Sequence, residues 1–284
     1  MIRVPINAFL RFQEKSGWIM ASHVAMSMML ALFPFILFIV ALTGQFASNI
    51  DVDELIQLTM GGWPEAVSKP LAQELHAVAN NDPTRLLSIG GVLTLLFASN
   101  GVNAIRVAMT AAYHEEDTRP FWLHRLICLA FVLAGAVLVM VLAFLAVALP
   151  LYFNFVNVSL PKVYDLVFDS RIMRILVGGV IAYLAVTACH AWLTGPFTHP
   201  IKVWPGVVLT VLVWELAATG FSIYVADFAS YSATYAGLAG AMSALIFLYL
   251  MAMILIFGAA FNAALGDWLY SADPVEPRPE YDSQ

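Results

Sequence analysis

Glu215 is the residue in this sequence that most needs a chemical explanation. It stands in VLVWELAATGF (residues 211–221), inside an apolar run that begins after Pro205. An ionised carboxylate is costly inside a membrane, and intramembrane acids commonly serve substrates, ions or protons. Because burial favours the neutral acid, three interpretations stay open. Glu215 is a neutral acid that hydrogen-bonds a neighbouring helix, a proton or substrate site, or a residue that lies less deep in the membrane than its place in the run indicates.

Small and polar residues recur on one face of four apolar runs when each run is drawn as a helix with 3.6 residues per turn. The four sets are Ser99, Asn103, Arg106, Thr110 and Tyr113; Tyr183, Thr187, His190 and Thr194; Glu215, Ala218, Thr219, Ser222 and Ala226; and Gly240, Ser243, Phe247, Met251, Gly258 and Asn262. Asn100 lies beside the first set. Such faces do not prefer lipid, so they predict a common interior. That interior is either a packed polar core or a water-filled cavity.

These faces predict one intramembrane polar site, with Arg106 as the natural partner of Glu215. The predicted site contains Glu215, Arg106, Asn103, Asn100, Thr219, Ser222, His190 and Asn262. At 1.5 Å per residue, Arg106 lies roughly 9 Å and Glu215 roughly 16 Å from the inner ends of their helices. An arginine side chain spans much of that difference. Alternatively, Arg106 extends to the inner headgroups.

Other polar residues have simpler interpretations. Asn262 is expected to hydrogen-bond across helices, and His190 to lie at a helix boundary near the inner membrane face. The segment HEEDTR (114–119) predicts a solvated loop, and Arg119, Trp122 and Arg125 are expected to anchor the third predicted helix at the inner interface.

The sequence lacks the patterns of a metal site or of nucleotide chemistry. No C-x-x-C, H-E-x-x-H or phosphate-binding loop occurs, and no nucleophile–base pair can be identified. Cys128 and Cys189 lie inside apolar runs, which is typical of small buried hydrophobes. We therefore expect no cofactor, no metal and no enzymatic activity.

The elements that must position these residues are membrane helices. The chain of 284 residues is 61% hydrophobic and only 11% charged, whereas soluble domains are about 25% charged. Spanning a bilayer takes about 20 apolar residues as helix. Six runs meet this length: 22–43, 86–112, 122–149, 172–194, 204–227 and 237–265. They lack the alternation of barrel strands, so the predicted fold is all-α, a polytopic six-transmembrane-helix bundle.

The segments outside these runs differ in character. Residues 44–85 contain two amphipathic stretches, which predict a small helical cap on the outer side; helices lying in the membrane interface are the alternative. Residues 1–270 form the predicted membrane domain. Residues 271–284 are rich in proline and acids and predict a disordered tail.

The basic residues predict that both termini lie in the cytoplasm. With that orientation, eight of the 13 Lys and Arg residues fall on the inner side. The bias is strongest at the first predicted helix, which follows Arg3, Arg11 and Lys15 and precedes only Lys69 and Arg85 in the long outer loop.

Three blocks carry a resemblance to a known family. The first is LFPF (32–35), and the second is ASNGVNAIRVAMTAAYHEEDTRPFWLHRL (98–126). The third, residues 204–265, begins WPGVVLTVLVWELAATGFSIY and ends AMSALIFLYLMAMILIFGAAFNAAL. In this order they resemble the YihY/BrkB family of six-helix bacterial inner-membrane proteins, over nearly the whole chain.

The resemblance implies a fold and a compartment more than an activity. The family carries an old ribonuclease label and a virulence-factor label. Its members are commonly described as transporters, but no substrate is agreed. This sequence departs from the family pattern at Ala236, at Phe247 and in GAAFN (258–262), which lacks the usual acid. A mechanism that needs that acid does not carry over, which leaves Glu215 as the acid deep in the membrane.

Two classes of function follow. The first is a transporter or a translocator of lipids or small molecules, with a polar site around Glu215. The second is a non-catalytic envelope protein that binds a partner through residues 44–85. An intramembrane enzyme ranks last, and the low basic content argues against a ribonuclease. Membrane lipids and an unidentified substrate are the expected partners; a homo-oligomer is allowed, and nucleic acid is not expected.

Overall fold

The computed structural model describes residues 3–46, 83–113, 117–156, 171–195, 200–229 and 236–272. All regular secondary structure in these described residues is helical, with short non-helical connections such as residues 117–120. The helices are α1 (Arg3–Glu14), α2 (Gly17–Phe46), α3 (Pro83–Tyr113), α4 (Phe121–Val156), α5 (Arg171–Ala188), α6 (Pro200–Ala229) and α7 (Ala236–Ala272). A π-helical turn, Cys189–Leu193, continues α5. The predicted outer cap (44–85) and tail (271–284) lie almost wholly outside the described residues.

Five of these helices are long and apolar enough to cross a membrane. The apolar spans are Gly91–Tyr113, Phe121–Leu138, Leu176–Leu193, Lys202–Phe221 and Met242–Leu269. Helix α2 contributes a shorter apolar segment, Gly17–Ala31. The all-α membrane architecture is therefore confirmed in the described part of the chain, whereas the count of six spanning helices stays a prediction.

Helix α1 is an element that the sequence analysis did not identify. It buries Val4, Ala8 and Phe12, one residue per turn, as an amphipathic helix does. This face packs on α7 beside Ala264 and Phe261. The segment before the first membrane helix is thus docked on the last one.

The core lies where α2, α3 and α7 pack together, and small residues dominate the contact. Ala21 of α2, Ala104 and Ala108 of α3, and Ala259 of α7 are almost completely buried in one cluster. In membranes, small residues let helix backbones approach closely. The same cluster includes Val203 of α6. The packing therefore fixes the ends of α3, α6 and α7 near one another, and these ends carry the polar residues described next.

Candidate functional site

A charged cluster is centred on Asp117, in the segment between α3 and α4. Its carboxylate accepts hydrogen bonds from Arg106 Nη1 at 2.7 Å and from Arg119 Nε at 2.9 Å. His124 Nε2 of α4 lies 2.8 Å from Asp117 Oδ2. The Asp117 side chain is only 6% exposed. The expectation of a fully solvated loop at HEEDTR is therefore wrong at Asp117, because this carboxylate pairs with an arginine inside a membrane helix.

Arg119 joins this cluster to the π-helical turn. Its Nη1 donates to the carbonyl of Trp192 at 2.9 Å, and its Nη2 donates to that of Leu193 at 3.1 Å. Carbonyls at a helix end lack intrahelical partners, and arginine side chains can bond them. Arg119 thus holds the end of the segment Leu176–Leu193, which consists of α5 residues and the π-helical turn, against the start of α4. We call it the fourth spanning segment, after its place among the six predicted runs.

The pKa of Asp117 records the balance of forces in this cluster. Burial raises the pKa of the carboxyl, but the Arg119 hydrogen bonds, the neighbouring His124 and the charge of Arg119 lower it more, so the net pKa lies well below the usual 3.8. A depressed carboxyl pKa stabilises the fold above the unfolded-state value, and this contribution is lost as pH falls through the folded-state pKa.

We therefore expect acid to destabilise this chain partly through Asp117. The melting temperature in detergent should fall as pH drops below about 3.8, when the unfolded state takes up a proton that the folded state resists. Comparing wild type with Asp117→Asn between neutral and acidic pH isolates this part. An equal loss of stability in both proteins would contradict the assignment.

A second polar network is buried between four elements. The Tyr113 hydroxyl of α3 lies 2.6 Å from His190 Nδ1 in the π-helical turn, and Asn262 Nδ2 of α7 donates to the same hydroxyl at 3.2 Å. His190 is fully buried in the protein and lies in the helical turn that ends the fourth spanning segment, so the predicted position near a helix end agrees with the structure, and its depth in the membrane stays a prediction. A hydroxyl can donate one hydrogen bond and accept two, so the direction of the bond between Tyr113 and His190 depends on the His190 tautomer. Nε2 has no hydrogen-bond partner among the described residues.

Asn262 bonds the backbone of α6 on both sides of Pro205. Its Oδ1 accepts from Gly206 N at 2.6 Å, and its Nδ2 donates to Val203 O at 2.8 Å. Proline inside a helix removes one donor and disturbs the preceding turn. In membrane helices, neighbouring helices satisfy the backbone groups that this exposes. The predicted cross-helix bond of Asn262 is confirmed, and its physical role is to support α6 at Pro205.

Gly206 and Gly258 allow α6 and α7 to approach at this point. A Cβ on Gly258 would meet the Thr210 hydroxyl closer than real Cβ atoms come, and would lie 3.0 Å from Gly206 O. Thr210 is itself held, because its hydroxyl donates to Gly206 O at 2.8 Å. The contact therefore has no flexible neighbour that could give way.

Gly258→Ala is expected to destabilise the fold by about 1–3 kcal/mol, the usual cost of overpacking. Gly266→Ala, on the same helix, is the matched control, because its added Cβ would meet nothing within 4 Å. That change should leave stability unchanged or raise it slightly. Denaturant or thermal unfolding in detergent compares the two, and equal melting temperatures would contradict the proposed close approach.

A lateral groove lies between α4 and the fourth spanning segment. It has a volume of about 510 Å³. One wall consists of Ile127, Ala130, Phe131, Ala134, Gly135 and Leu138 of α4. The opposite wall consists of Ala185, Ala188, Cys189, Trp192 and Gly195, and Arg119 lies at one end. Gly135, Ala185 and Trp192 are exposed on the outer surface of the bundle, so the groove opens sideways and not into the core.

The eight residues of the predicted polar site fall in separate places. Arg106 Nε donates to Asn103 Oδ1 at 3.1 Å, and Arg125 donates to Asn100 at 2.7 Å. His190 and Asn262 meet through Tyr113. Ser222 lies within α6, but its side chain is outside the described part of the structure.

Glu215 does not join either network. Its side chain is exposed on the surface of the chain, and its backbone carbonyl accepts from Thr219, which is exposed as well. Arg106 is paired with Asp117 and Asn103. Among the described residues no ion pair or side-chain hydrogen bond links Arg106 to Glu215.

Sequence reasoning missed Asp117 and Tyr113 as the centres of the two networks. The charge pattern did contain a signal for Asp117, because this acid lies two residues before Arg119 and close in sequence to His124. Tyr113 was placed on the polar face of its helix, but its partners on two other elements left no pattern in the sequence. Within the described residues, no group of three or more His, Cys, Asp or Glu side chains could hold a metal ion; both cysteines are free.

Comparison with known proteins identifies the family. The chain is 28% identical to the ribonuclease-like protein YfkH of Bacillus subtilis over 274 residues, 90% of this chain and 93% of that protein. It is 21% identical to a UPF0761 membrane protein of Alteromonas mediterranea over 90% of this chain and 85% of the relative. A UPF0761 membrane protein of Tolumonas auensis is 40% identical over a shorter stretch of 63 residues, 22% of this chain and 21% of that protein.

No solved structure matches the chain. The family model described as "Virulence factor BrkB" matches residues 8–280, almost the entire sequence. This chain therefore belongs to the BrkB family of membrane proteins.

Proposed function

We propose that this chain is a membrane transport protein that takes lipids from the bilayer through the groove between α4 and the fourth spanning segment. The observation that carries the proposal is a cavity of about 510 Å³ that is open to the lipid side of the bundle. Ligand cavities typically measure about 300–1,000 Å³ and are mostly apolar. A water-soluble substrate could reach only the Arg119 end of such a cavity without entering hydrocarbon, whereas a lipid can occupy its whole length.

The dimensions of the groove favour a lipid of one leaflet. Its α4 wall runs from Ile127 to Leu138, which is roughly 16 Å of helix at 1.5 Å per residue. The hydrocarbon core is about 30 Å thick, so the groove extends over about half of it. Arg119 marks the end at the membrane face. One acyl chain beside one polar group matches this layout.

The groove wall formed by α5 and its π-helical turn is bonded to the charged cluster at Asp117 and to the polar network at Tyr113. Arg119 bonds the carbonyls of Trp192 and Leu193, and His190 in the same turn bonds Tyr113. π-Helical turns frequently occur at functional sites. A change in either network would therefore move this wall. The proposed transport step is a change in groove width controlled by these contacts.

The proposal includes a location and a topology. The chain is a multi-pass protein of the bacterial inner membrane with both termini in the cytoplasm, so the groove opens into the inner leaflet. It performs no covalent chemistry, and a ribonuclease reaction is not part of the proposal. The carboxylate of the charged cluster, Asp117, is already paired with Arg106 and Arg119.

Reconstitution tests this function. Purified protein is placed in vesicles that contain a phospholipid labelled with a fluorophore that dithionite reduces from the outside. Transport predicts that reduction continues beyond the outer-leaflet pool, at a rate that rises with the amount of protein per vesicle. Vesicles with an unrelated six-helix protein serve as the control. Reduction that stops at the outer-leaflet pool in every preparation would contradict the proposal.

The position of Glu215 favours a second candidate, an interaction protein of the envelope. Leu212 and Leu216 are exposed beside it. An acid that faces lipid within a membrane helix costs free energy, and a helix of another subunit that covers α6 would relieve this cost. The outer loop (44–85), proposed from the sequence as the binding segment, lies largely outside the described residues. A photo-crosslinker at Leu216 separates the candidates: protein adducts favour interaction, and lipid adducts alone favour transport.

A further inference from the structure

We propose that the groove selects anionic phospholipids, whose phosphate charge is not balanced by a cation in the headgroup, with the phosphate held at Arg119 and the acyl chain along α4. This inference rests on the proposed function in that the same groove admits the lipid. It adds the substrate class, which nothing in the family descriptions supplies. The feature that carries it is an apolar groove that ends at a cluster with surplus positive charge.

The charge of the cluster can be counted from its side chains. Within the cluster centred on Asp117, Arg106 and Arg119 contribute two positive charges, and Asp117 contributes one negative charge. The sum for these three described side chains is +1. An anionic headgroup at this end of the groove would reduce the surplus, and a zwitterionic one would do so less.

Arg119 is the charged group among the residues that line the groove. Its Nε and Nη2 are taken up by Asp117 and Leu193, and one Nη1 hydrogen by Trp192. An arginine guanidinium has five N–H donors, so a second Nη1 hydrogen remains for a ligand. Hydrogen bonds from arginine to phosphate are among the strong, charge-assisted ones. The side chain is held in place by its protein bonds, so little entropy is lost when a headgroup binds.

A lipid fits the groove better than a free anion. Away from Arg119, the groove is lined by apolar residues, and the polar side-chain groups there are the Cys189 thiol and the indole N–H of Trp192. Trp192 is 52% exposed at the Arg119 end, and tryptophan is enriched where a membrane meets water. A free phosphate would use the arginine and leave the apolar walls without a partner. A phospholipid uses both.

Fluorescence quenching of Trp192 tests this selectivity. The six other tryptophans are replaced by Phe, and the protein is reconstituted with phospholipids brominated on the acyl chains. At equal mole fraction, brominated phosphatidylglycerol should compete for the Trp192 site roughly five-fold better than brominated phosphatidylcholine, the preference that one basic residue gives at a membrane surface. Arg119→Lys should keep most of the preference, and Arg119→Gln should abolish it.

A second single-tryptophan protein supplies the control for general lipid contact. Trp204 is exposed on α6 and does not line the groove, so Arg119 variants should leave its quenching unchanged. If the multiple Phe replacements prevent folding, native mass spectrometry of the wild-type protein from mixed lipid replaces this assay. Retained phosphatidylglycerol is then the expected adduct, and it should be depleted in Arg119→Gln.

The outcomes separate this inference from the proposed function. Equal quenching of Trp192 by the two lipids would overturn the selectivity and leave lipid entry intact. No quenching of Trp192 by either lipid, with normal quenching of Trp204, would overturn both. A preference that persists in Arg119→Gln would contradict the assignment of the headgroup to this residue.

Discussion

Asp117→Asn is expected to destabilise the folded protein by about 3–5 kcal/mol, the usual cost of removing one partner from a buried ion pair. Asn has the shape of Asp, so packing changes little. It has no charge, however, and leaves Arg106 and Arg119 together without a counterion. The Asp117 side chain is 6% exposed, so water cannot replace it fully. Equilibrium unfolding in detergent at neutral pH measures the loss.

The matched control is the same substitution in an exposed ion pair. Asp267 lies 3.0 Å from Arg11, and its side chain is 73% exposed. Exposed pairs contribute about 0–1 kcal/mol, so Asp267→Asn should change stability little. Equal effects at the two positions would show that Asp117 is not the centre of a buried cluster.

Asn262→Leu is the second large effect, with an expected loss of about 3 kcal/mol, from roughly 1 kcal/mol for each of three interhelical hydrogen bonds. The bonds join Asn262 to Val203 O, Gly206 N and the Tyr113 hydroxyl. Leu has a similar size, so the lost bonds and not a cavity would cause the change. Thermal unfolding in detergent measures it.

Asn100→Leu is the control for this prediction. Asn100 is exposed and, within the described part of the chain, accepts a hydrogen bond from Arg125, so its replacement should cost much less. A loss at Asn100 as large as that at Asn262 would mean that the effect follows from any amide loss in the bundle, and the support of α6 at Pro205 would be refuted.

The helices could be predicted from the sequence because their physical cause is local. An apolar run of about 20 residues satisfies its backbone within one segment and needs no knowledge of its neighbours. Helix α1 was not predicted, because it is short and amphipathic. Its residues Val4, Ala8 and Phe12 are buried only because α7 offers a complementary surface. No length criterion reports such a surface.

The candidate site was predicted only in part, because it depends on how neighbouring helices face one another. Helical geometry gives the angle between residues of one helix, but it does not give the rotation of that helix relative to its neighbours. The polar faces that contain Tyr113 and Asn262 do meet. The face that contains Glu215 and Thr219 is exposed. The interior that the polar faces form is closely packed at Gly206 and Gly258, and the groove lies elsewhere, between surfaces that appear only apolar in the sequence.

The central claim is that lipid moves through the groove beside α4, and one pair of variants tests it most directly. Gly135 lines the groove and Gly178 lies outside it; both are exposed, and a Cβ on either would meet nothing within 4 Å. Gly135→Leu and Gly178→Leu therefore add the same side chain to open space, but only the first fills the groove.

Transbilayer movement of fluorescent phosphatidylglycerol in reconstituted vesicles is the measurement. The account predicts that Gly135→Leu falls to the rate of protein-free vesicles, while Gly178→Leu keeps the wild-type rate at the same amount of folded protein. Equal rates in the two variants, or a loss confined to Gly178→Leu, would contradict it.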